Sequence, residues 1–197
     1  MRLLLASKSA ARRAMLEAAG VPFGLAEAEL EEEQAKAGLC GAGFDPHSVA
    51  EELAQLKALS ATGNPGDLIL GADQVLERDD GSMLSKPESN QEARDQLLSL
   101  RGATHSLHSA AVIVEDGKPI WWGSETVRLT MRPFSDAFLD DYLRREWEAI
   151  RWSVGGYRIE GPGVQLFDRI EGSHFAILGL PLLPLLDYLR QRDVVTP

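Results

Sequence analysis

Three short stretches of this chain place polar chemistry where the surrounding pattern calls for burial or a tight turn. The first is SKSAARR, residues 7–13, directly after the apolar run RLLLA. Hydroxyls from Ser7 and Ser9, guanidinium forks from Arg12 and Arg13, and the free N–H groups of a helix start all suit phosphate oxygens. Arginine binds such oxygens in pairs, and a helix N-terminus is the positive end of a dipole. Two cations near that end are unfavourable, and an anionic ligand would relieve them. By itself S-x-x-R-R also fits a solvated helix face.

The second stretch is LILGADQVLERDDGSMLSKP, residues 68–87. Asp73 interrupts an apolar strand, and a carboxylate there costs several kcal/mol unless it is paired or binds a metal. Two readings stay open: a structural acid held by a nearby cation, or a metal ligand or base that activates water. Gln74 follows it. Lys86 precedes Pro87, which restricts the backbone around it. The third stretch is GGYRIEG, residues 155–161, where glycines allow close approach of backbone to a ligand.

Other chemistries are excluded. Cys40 is the only cysteine, so neither an internal disulfide nor a multi-cysteine metal site exists. No histidine pair has metal-ligand spacing, and no G-x-S-x-G, P-loop or strand-following G-x-G-x-x-G occurs. The formal net charge of −10 argues against a duplex nucleic-acid surface while leaving room for a small anion in a local cationic pocket. No apolar run reaches the ~18 to 20 residues of a membrane span, and the opening MRLLLASKSAARR is too short for a signal-peptide core. A cytoplasmic protein without membrane partners is expected.

The elements that must position these residues follow from patterning. Residues 2–6 read as a buried strand and 9–20 as a helix capped by Ser9 and closed by Gly20, a βα unit. The acidic run 26–37 reads as a solvated helix face or loop, 38–46 as a Gly-rich loop, and 48–61 as a helix capped by Ser48. A strand from Leu68 turns at Asp80-Gly81, and 91–102 is a helix ended by Gly102. Residues 105–134 read as long antiparallel strands turning at Asp116-Gly117. Helices follow over 135–147, capped by Ser135, and after Pro181, with strands and Gly-rich turns between them. With 44 % apolar residues and 197 positions, this is one α/β domain with room for two lobes.

Taken in order, the stretches resemble the Maf family of nucleoside triphosphate pyrophosphatases. LLLASKSAARRAMLEAAGVPF is similar to that family's opening L-A-S-x-S-P-x-R-R and leucine-rich helix. AELEEE is similar to its acidic segment, LKA at 56–58 to its lysine-alanine helix, and LILGADQVL with SKP to its G-A-D and K-P elements. LSLRGATHSLHSAAVIV, EGPGVQLFDRIEG and ILGLPLLPLLDYL resemble its later segments, so the likeness runs from residue 3 to about 190. Ala10 stands in place of the usual proline, and Ser153 in place of the lysine of E-P-x-D-K-A-G. The branch associated with 7-methyl-GTP also lacks that lysine. SVGGYRIEG is similar to the C-A-G-S-F-K-S-E-G run of that branch, with Arg158 matching its lysine, and Gln74 also agrees with it. Ala11 lacks the branch's bulky aromatic, a platform that Trp147 or Trp152 would replace.

The resemblance implies a single domain over 1–197, an elongated mixed β-sheet with flanking helices and two lobes around a nucleotide cleft, related to the ITPase-like folds. It implies a hydrolase acting on the α–β anhydride of a nucleotide, 7-methyl-GTP favoured, releasing monophosphate and pyrophosphate with Mg²⁺ or Mn²⁺. Ser7, Ser9, Arg12, Arg13, Lys57 and Arg158 would hold phosphates. Asp73 and Lys86 would be catalytic, Asp73 and Glu32 would hold the metal, and Ala11, Gln74 and Glu160 would select the base. Action on dTTP and UTP, and a catalytically weak regulator of cell division, are the alternatives; a homodimer is left open.

Overall fold

The computed structural model describes residues 1–196. The described strands form one seven-stranded mixed sheet in the order β2 (Phe23–Leu25), β1 (Leu3–Ala6), β3 (Leu68–Arg78), β5 (Thr104–Glu115), β6 (Lys118–Met131) and β7 (Phe167–Glu171), with β4 (Met83–Leu84) paired to β3. Helices flank it, so the α/β class and the mixed sheet expected from the sequence are what is found. Contacts gather the chain into two compact units. The first comprises Met1–Gln74, His108–Glu125 and the segment from Ser173, and the second Val75–Leu107 and Thr126–Gly172. The strands β3 (Leu68–Arg78), β5 (Thr104–Glu115) and β6 (Lys118–Met131) contribute to both.

In the first unit, β1 (Leu3–Ala6) runs parallel to both β2 (Phe23–Leu25) and β3, with Leu5 opposite Leu25 and Leu70. Every residue of β1 is buried, as a continuous apolar run in a parallel sheet requires. The helix α1 (Ala10–Ala18) turns Met15 and Leu16 into a core shared with Leu68, Leu70, Ile113, Leu185 and Leu189. Ser9 caps it through Arg12 N–H at 3.4 Å, and Gly20 leaves it with φ +68°. The remaining helices of this unit are α2 (Glu32–Gly41), α3 (Pro46–Ser60), α6 (His174–Ile177) and α7 (Leu182–Gln191).

Helix α3 lies close against β3. A Cβ added at Gly71 would overlap the Ala54 carbonyl oxygen and lie 2.7 Å from Ala58 N, so only glycine lets helix and strand approach this far. The helix α2 extends to Gly41, across residues that their glycines suggested were loop. None of its residues is fully buried, so Gly38 and Gly41 cost it only about 1 kcal/mol each in propensity and clash with nothing. The cap of α3 is Asp45, whose carboxylate accepts Ser48 N–H at 2.8 Å. Ser48 was expected to cap; it instead lies inside the first turn, because Pro46 starts the helix two residues earlier.

The second unit holds β4 (Met83–Leu84), α4 (Asn90–Leu100), α5 (Asp136–Ile150), β7 (Phe167–Glu171) and two short 3-10 turns, Val154–Gly156 and Pro162–Leu166. Ser89 and Ser135 cap α4 and α5 by accepting Glu92 and Phe138 N–H groups. The turn between β5 and β6 puts both Asp116 and Gly117 at positive φ, the pattern of a type I′ hairpin. No helix of the described residues is long and apolar enough to cross a membrane.

Candidate functional site

The first unit gathers most of the residues singled out in the sequence. The strand β1 ends at Ala6, and the chain turns through Ser7 and Ser9 into α1. Arg12, on the buried face of that helix, is locked in place. Its Nη1 donates to Ser7 Oγ at 3.1 Å and to Ala72 O at 2.9 Å, and its Nε donates to Gly179 O at 2.7 Å. One guanidinium thus ties the β1 turn, strand β3 and the segment leading into α7 together. Burial lowers its pKa, opposed by the charges of Asp73 and Glu32; arginine still remains a cation at any working pH. Arg13 and Ala11 differ from it: Arg13 is exposed and Ala11 half-buried.

Asp73 is carried on β3 and is 4 % exposed. Its carboxylate accepts a very short hydrogen bond from the Nζ of Lys57, on α3. The same ammonium reaches Glu32 Oε2, at the start of α2, at 2.8 Å. Three segments therefore converge on one point, with a cation held between two acids. The cation–acid arrangement answers the burial cost of Asp73 directly. Of the acidic run 26–37, Glu32 is the member turned to this point, and helical phase places it there.

Gln74 does not present its amide nitrogen outward. Nε2 donates to Ser109 Oγ at 2.9 Å, Ala176 O at 2.8 Å and Ile177 O at 3.0 Å. Ser109 Oγ also donates to Ala176 O at 2.6 Å. These carbonyls end the four-residue helix α6, where Ala176 O accepts Gly179 N–H at 3.0 Å and keeps room for the side-chain donors as well. Sequence reasoning missed Ser109 and α6. A lone serine in a β-rich run and a four-residue helix leave no periodic signal.

Lys86, Arg158 and Glu160 belong to the second unit. Lys86 follows β4 and is exposed, as is Glu160. Arg158 is half-buried, and its Nε is buried without a hydrogen-bond partner among the described residues. It leaves a loop in which Gly155 and Gly156 both have positive φ, +77° and +68°. Tyr157, between them and Arg158, is buried, and its hydroxyl lies 2.8 Å from His105 Nε2. Just ahead of the loop, Arg151 stacks on Trp147 and on the exposed Trp152, with its guanidinium carbon 5.4 and 5.1 Å from the ring centres.

As a metal site, the donor set is limited. Among the described residues no group of three or more His, Cys, Asp or Glu side chains is gathered to hold an ion. Asp73 and Glu32 nevertheless face one cation position, and one or two carboxylates completed by substrate phosphates is the usual protein share of a Mg²⁺ site. The two acids fit that group.

A family described as "Maf-like protein" matches residues 2–192. This chain belongs to the Maf family. It is 50 % identical over 191 residues to a nucleoside triphosphate pyrophosphatase of Sphingopyxis alaskensis, covering 96 % of each chain. It is 49 % identical over 192 residues to a nucleoside triphosphate pyrophosphatase of Caulobacter vibrioides, covering 98 % of this chain and 96 % of the relative. Among solved structures, a HAM1 protein from Coxiella burnetii aligns with 68 % of this chain and 74 % of its own, at 15 % identity and a TM-score of 0.45. Family membership accounts for the order of the motifs along the whole chain, which no single stretch explained alone.

Proposed function

We propose that this Maf chain is a nucleotide pyrophosphatase that cleaves the α–β anhydride of a nucleoside triphosphate, releasing the monophosphate and pyrophosphate. The observation that carries the reading is the buried carboxylate of Asp73 on β3, bonded to a Lys57 ammonium that also reaches Glu32, and set beside the locked Arg12. The names of the relatives, nucleoside triphosphate pyrophosphatases at about half identity, agree with it.

The chain's own residues divide the work. Arg12, with Nε and both N–H groups of Nη1 engaged by protein oxygens, offers the N–H groups of Nη2 to a phosphate without having to reorganise. Ser7, Ser9 and the N-terminus of α1 add hydrogen-bond donors, with Arg13 at the same helix start. Lys57 is drawn two ways once a triphosphate arrives, because the phosphate charge competes with Asp73 for its ammonium. As Lys57 turns to phosphate, Asp73 is freed to take a proton from the attacking water. Asp73 and Glu32 would hold Mg²⁺ or Mn²⁺, which supplies charge neutralisation and a more acidic water. The resemblance assigns further phosphate contacts to Lys86 and Arg158.

The base reading favours 7-methyl-GTP or another modified purine over dTTP and UTP. With its amide nitrogen engaged, Gln74 has only Oε1 left for a base, an acceptor. The resemblance gives Glu160 the same kind of role. Guanine offers N1–H and N2–H donors to such groups, whereas thymine and uracil offer one N–H flanked by two carbonyls. A site whose acceptors go unpaired discriminates by decades.

The test is pyrophosphate release with 7-methyl-GTP, GTP, dTTP, UTP and CTP in parallel, read as kcat/KM. A modified purine should lead. A lead for dTTP or UTP would overturn the base assignment. Tight binding with no release from any nucleotide would overturn the enzymatic reading in favour of a regulator.

A further inference from the structure

His105 is buried on β5 in the second unit, 2 % exposed, and has no part in the chemistry above. Its Nε2 meets Tyr157 Oη at 2.8 Å, and its Nδ1 is buried without a partner among the described residues. Tyr157 is wedged in place. Its ring packs edge-on to Phe167 at 4.9 Å between centres and tilts over the His105 ring at 5.6 Å. Its backbone continues directly into Arg158.

The loop before it is a buried 3-10 turn in which Gly156 N–H donates to Ser153 O at 3.2 Å. Gly155 and Gly156 sit at positive φ in succession, where glycine is the freest residue in the unfolded chain. A Cβ at Gly155 would lie 2.6 Å from Leu76 and 2.9 Å from the Tyr157 ring, so the turn is threaded tightly past that ring. A tight two-glycine turn thus ends on a packed aromatic whose hydroxyl meets His105 on β5.

We infer that His105 is a positioning residue: its bond to Tyr157 fixes the 153–161 loop and thereby the direction in which Arg158 is presented. For its effect on turnover this rests on the pyrophosphatase reading. An imidazole suits the task because it can exchange a hydrogen bond with a phenol as donor or acceptor, and its buried surroundings keep it neutral, with its pKa lowered to about 4. The unpartnered Nδ1 is tolerated for the sake of that single bond.

Two variants and two readouts test the inference. Tyr157→Phe keeps the ring and removes only Oη, and His105→Gln keeps a hydrogen-bonding group near Nε2. Amide hydrogen exchange of residues 153–161 should accelerate about tenfold in Tyr157→Phe, the loss of roughly one hydrogen bond's protection, and much less in His105→Gln. Pyrophosphate release should fall about tenfold in Tyr157→Phe, mainly in kcat, and should fall no further when the change is added to Arg158→Ala. Unchanged loop exchange in Tyr157→Phe, or losses that multiply on the Arg158→Ala background, would overturn the inference. A parent protein that releases no pyrophosphate from any nucleotide would defeat the proposed function instead, and the exchange arm would still decide the loop.

Discussion

The ammonium of Lys57 is bonded directly to the carboxylate of Asp73, across the contact between α3 and β3. Neither residue is more than 8 % exposed, so each satisfies a charge that the other's absence would leave stranded. The pair explains how an apolar strand tolerates an acid, and it sets the resting state of the proposed reaction: base and cation are stored together until an anion separates them.

Lys57→Met should therefore destabilise the fold by roughly 3 to 5 kcal/mol, the usual result of removing one partner of a buried pair. Denaturant unfolding measures it. Adding Asp73→Asn to Lys57→Met should recover a large part of the loss, because no uncompensated carboxylate then remains. A double variant no more stable than Lys57→Met would mean that the pair is not what holds these groups.

Asp73→Asn alone should abolish hydrolysis, by two decades or more in kcat, while nucleotide binding survives. Asparagine keeps the shape but accepts no proton from water and is a poor Mg²⁺ ligand. Calorimetric titration of nucleotide into the variant, beside a turnover assay, separates the two. Parent-like turnover would move the base to Glu32.

Exhaustive chelation should silence turnover, and Mg²⁺ or Mn²⁺ should restore it. Asp73, Glu32 and a triphosphate bring several negative charges to one point, and Lys57 with Arg12 does not balance them. Undiminished release of pyrophosphate after chelation would refute this.

Stability should fall on mild acidification because of His105. Burial lowers its pKa to about 4 in the native state, against 6.5 for an ordinary histidine. Between those values the unfolded chain binds a proton that the native chain refuses. Stability is thus lost as pH falls through the window and is flat above it, by up to about 3 kcal/mol. Carboxylates such as Asp67, held low by its hydrogen bond from Arg2, lose their contribution only further down. Unfolding curves of His105→Gln against the parent, from pH 7 to 4.5, should converge as pH falls. Parallel curves would mean that His105 titrates normally.

How much of this was readable from the residues depends on whether the signal was local. The βα unit of residues 2–20 was plain, because an unbroken apolar run, a capping serine and a closing glycine act within a few residues of one another. Asp73 was conspicuous because a carboxylate in an apolar strand is costly, and the cation that the structural reading called for is Lys57. Lys57 carried no such mark: a lysine at helical spacing is unremarkable until α3 is laid on β3, and only the family resemblance picked it out. Glu32 was one of several neighbouring glutamates, and which of them turns inward is a tertiary fact. The engagement of Gln74 was hidden for a similar reason. Its partners are carbonyls of a four-residue helix about a hundred positions away, and backbone carbonyls have no letter in a sequence.

The approach of α3 to β3 at Gly71 bears on how substitution data for this protein should be interpreted. Position 71 carries no functional group, yet any larger residue there would push α3 outward and draw Lys57 off Asp73, three and two positions from the contacts at Ala54 and Gly71. In a saturation scan scored by activity, Gly71 would rank with the acids and cations proposed to do chemistry. A map of sensitive positions therefore outlines more than the reacting groups in this enzyme family: it includes the steric fulcrum against which those groups are held.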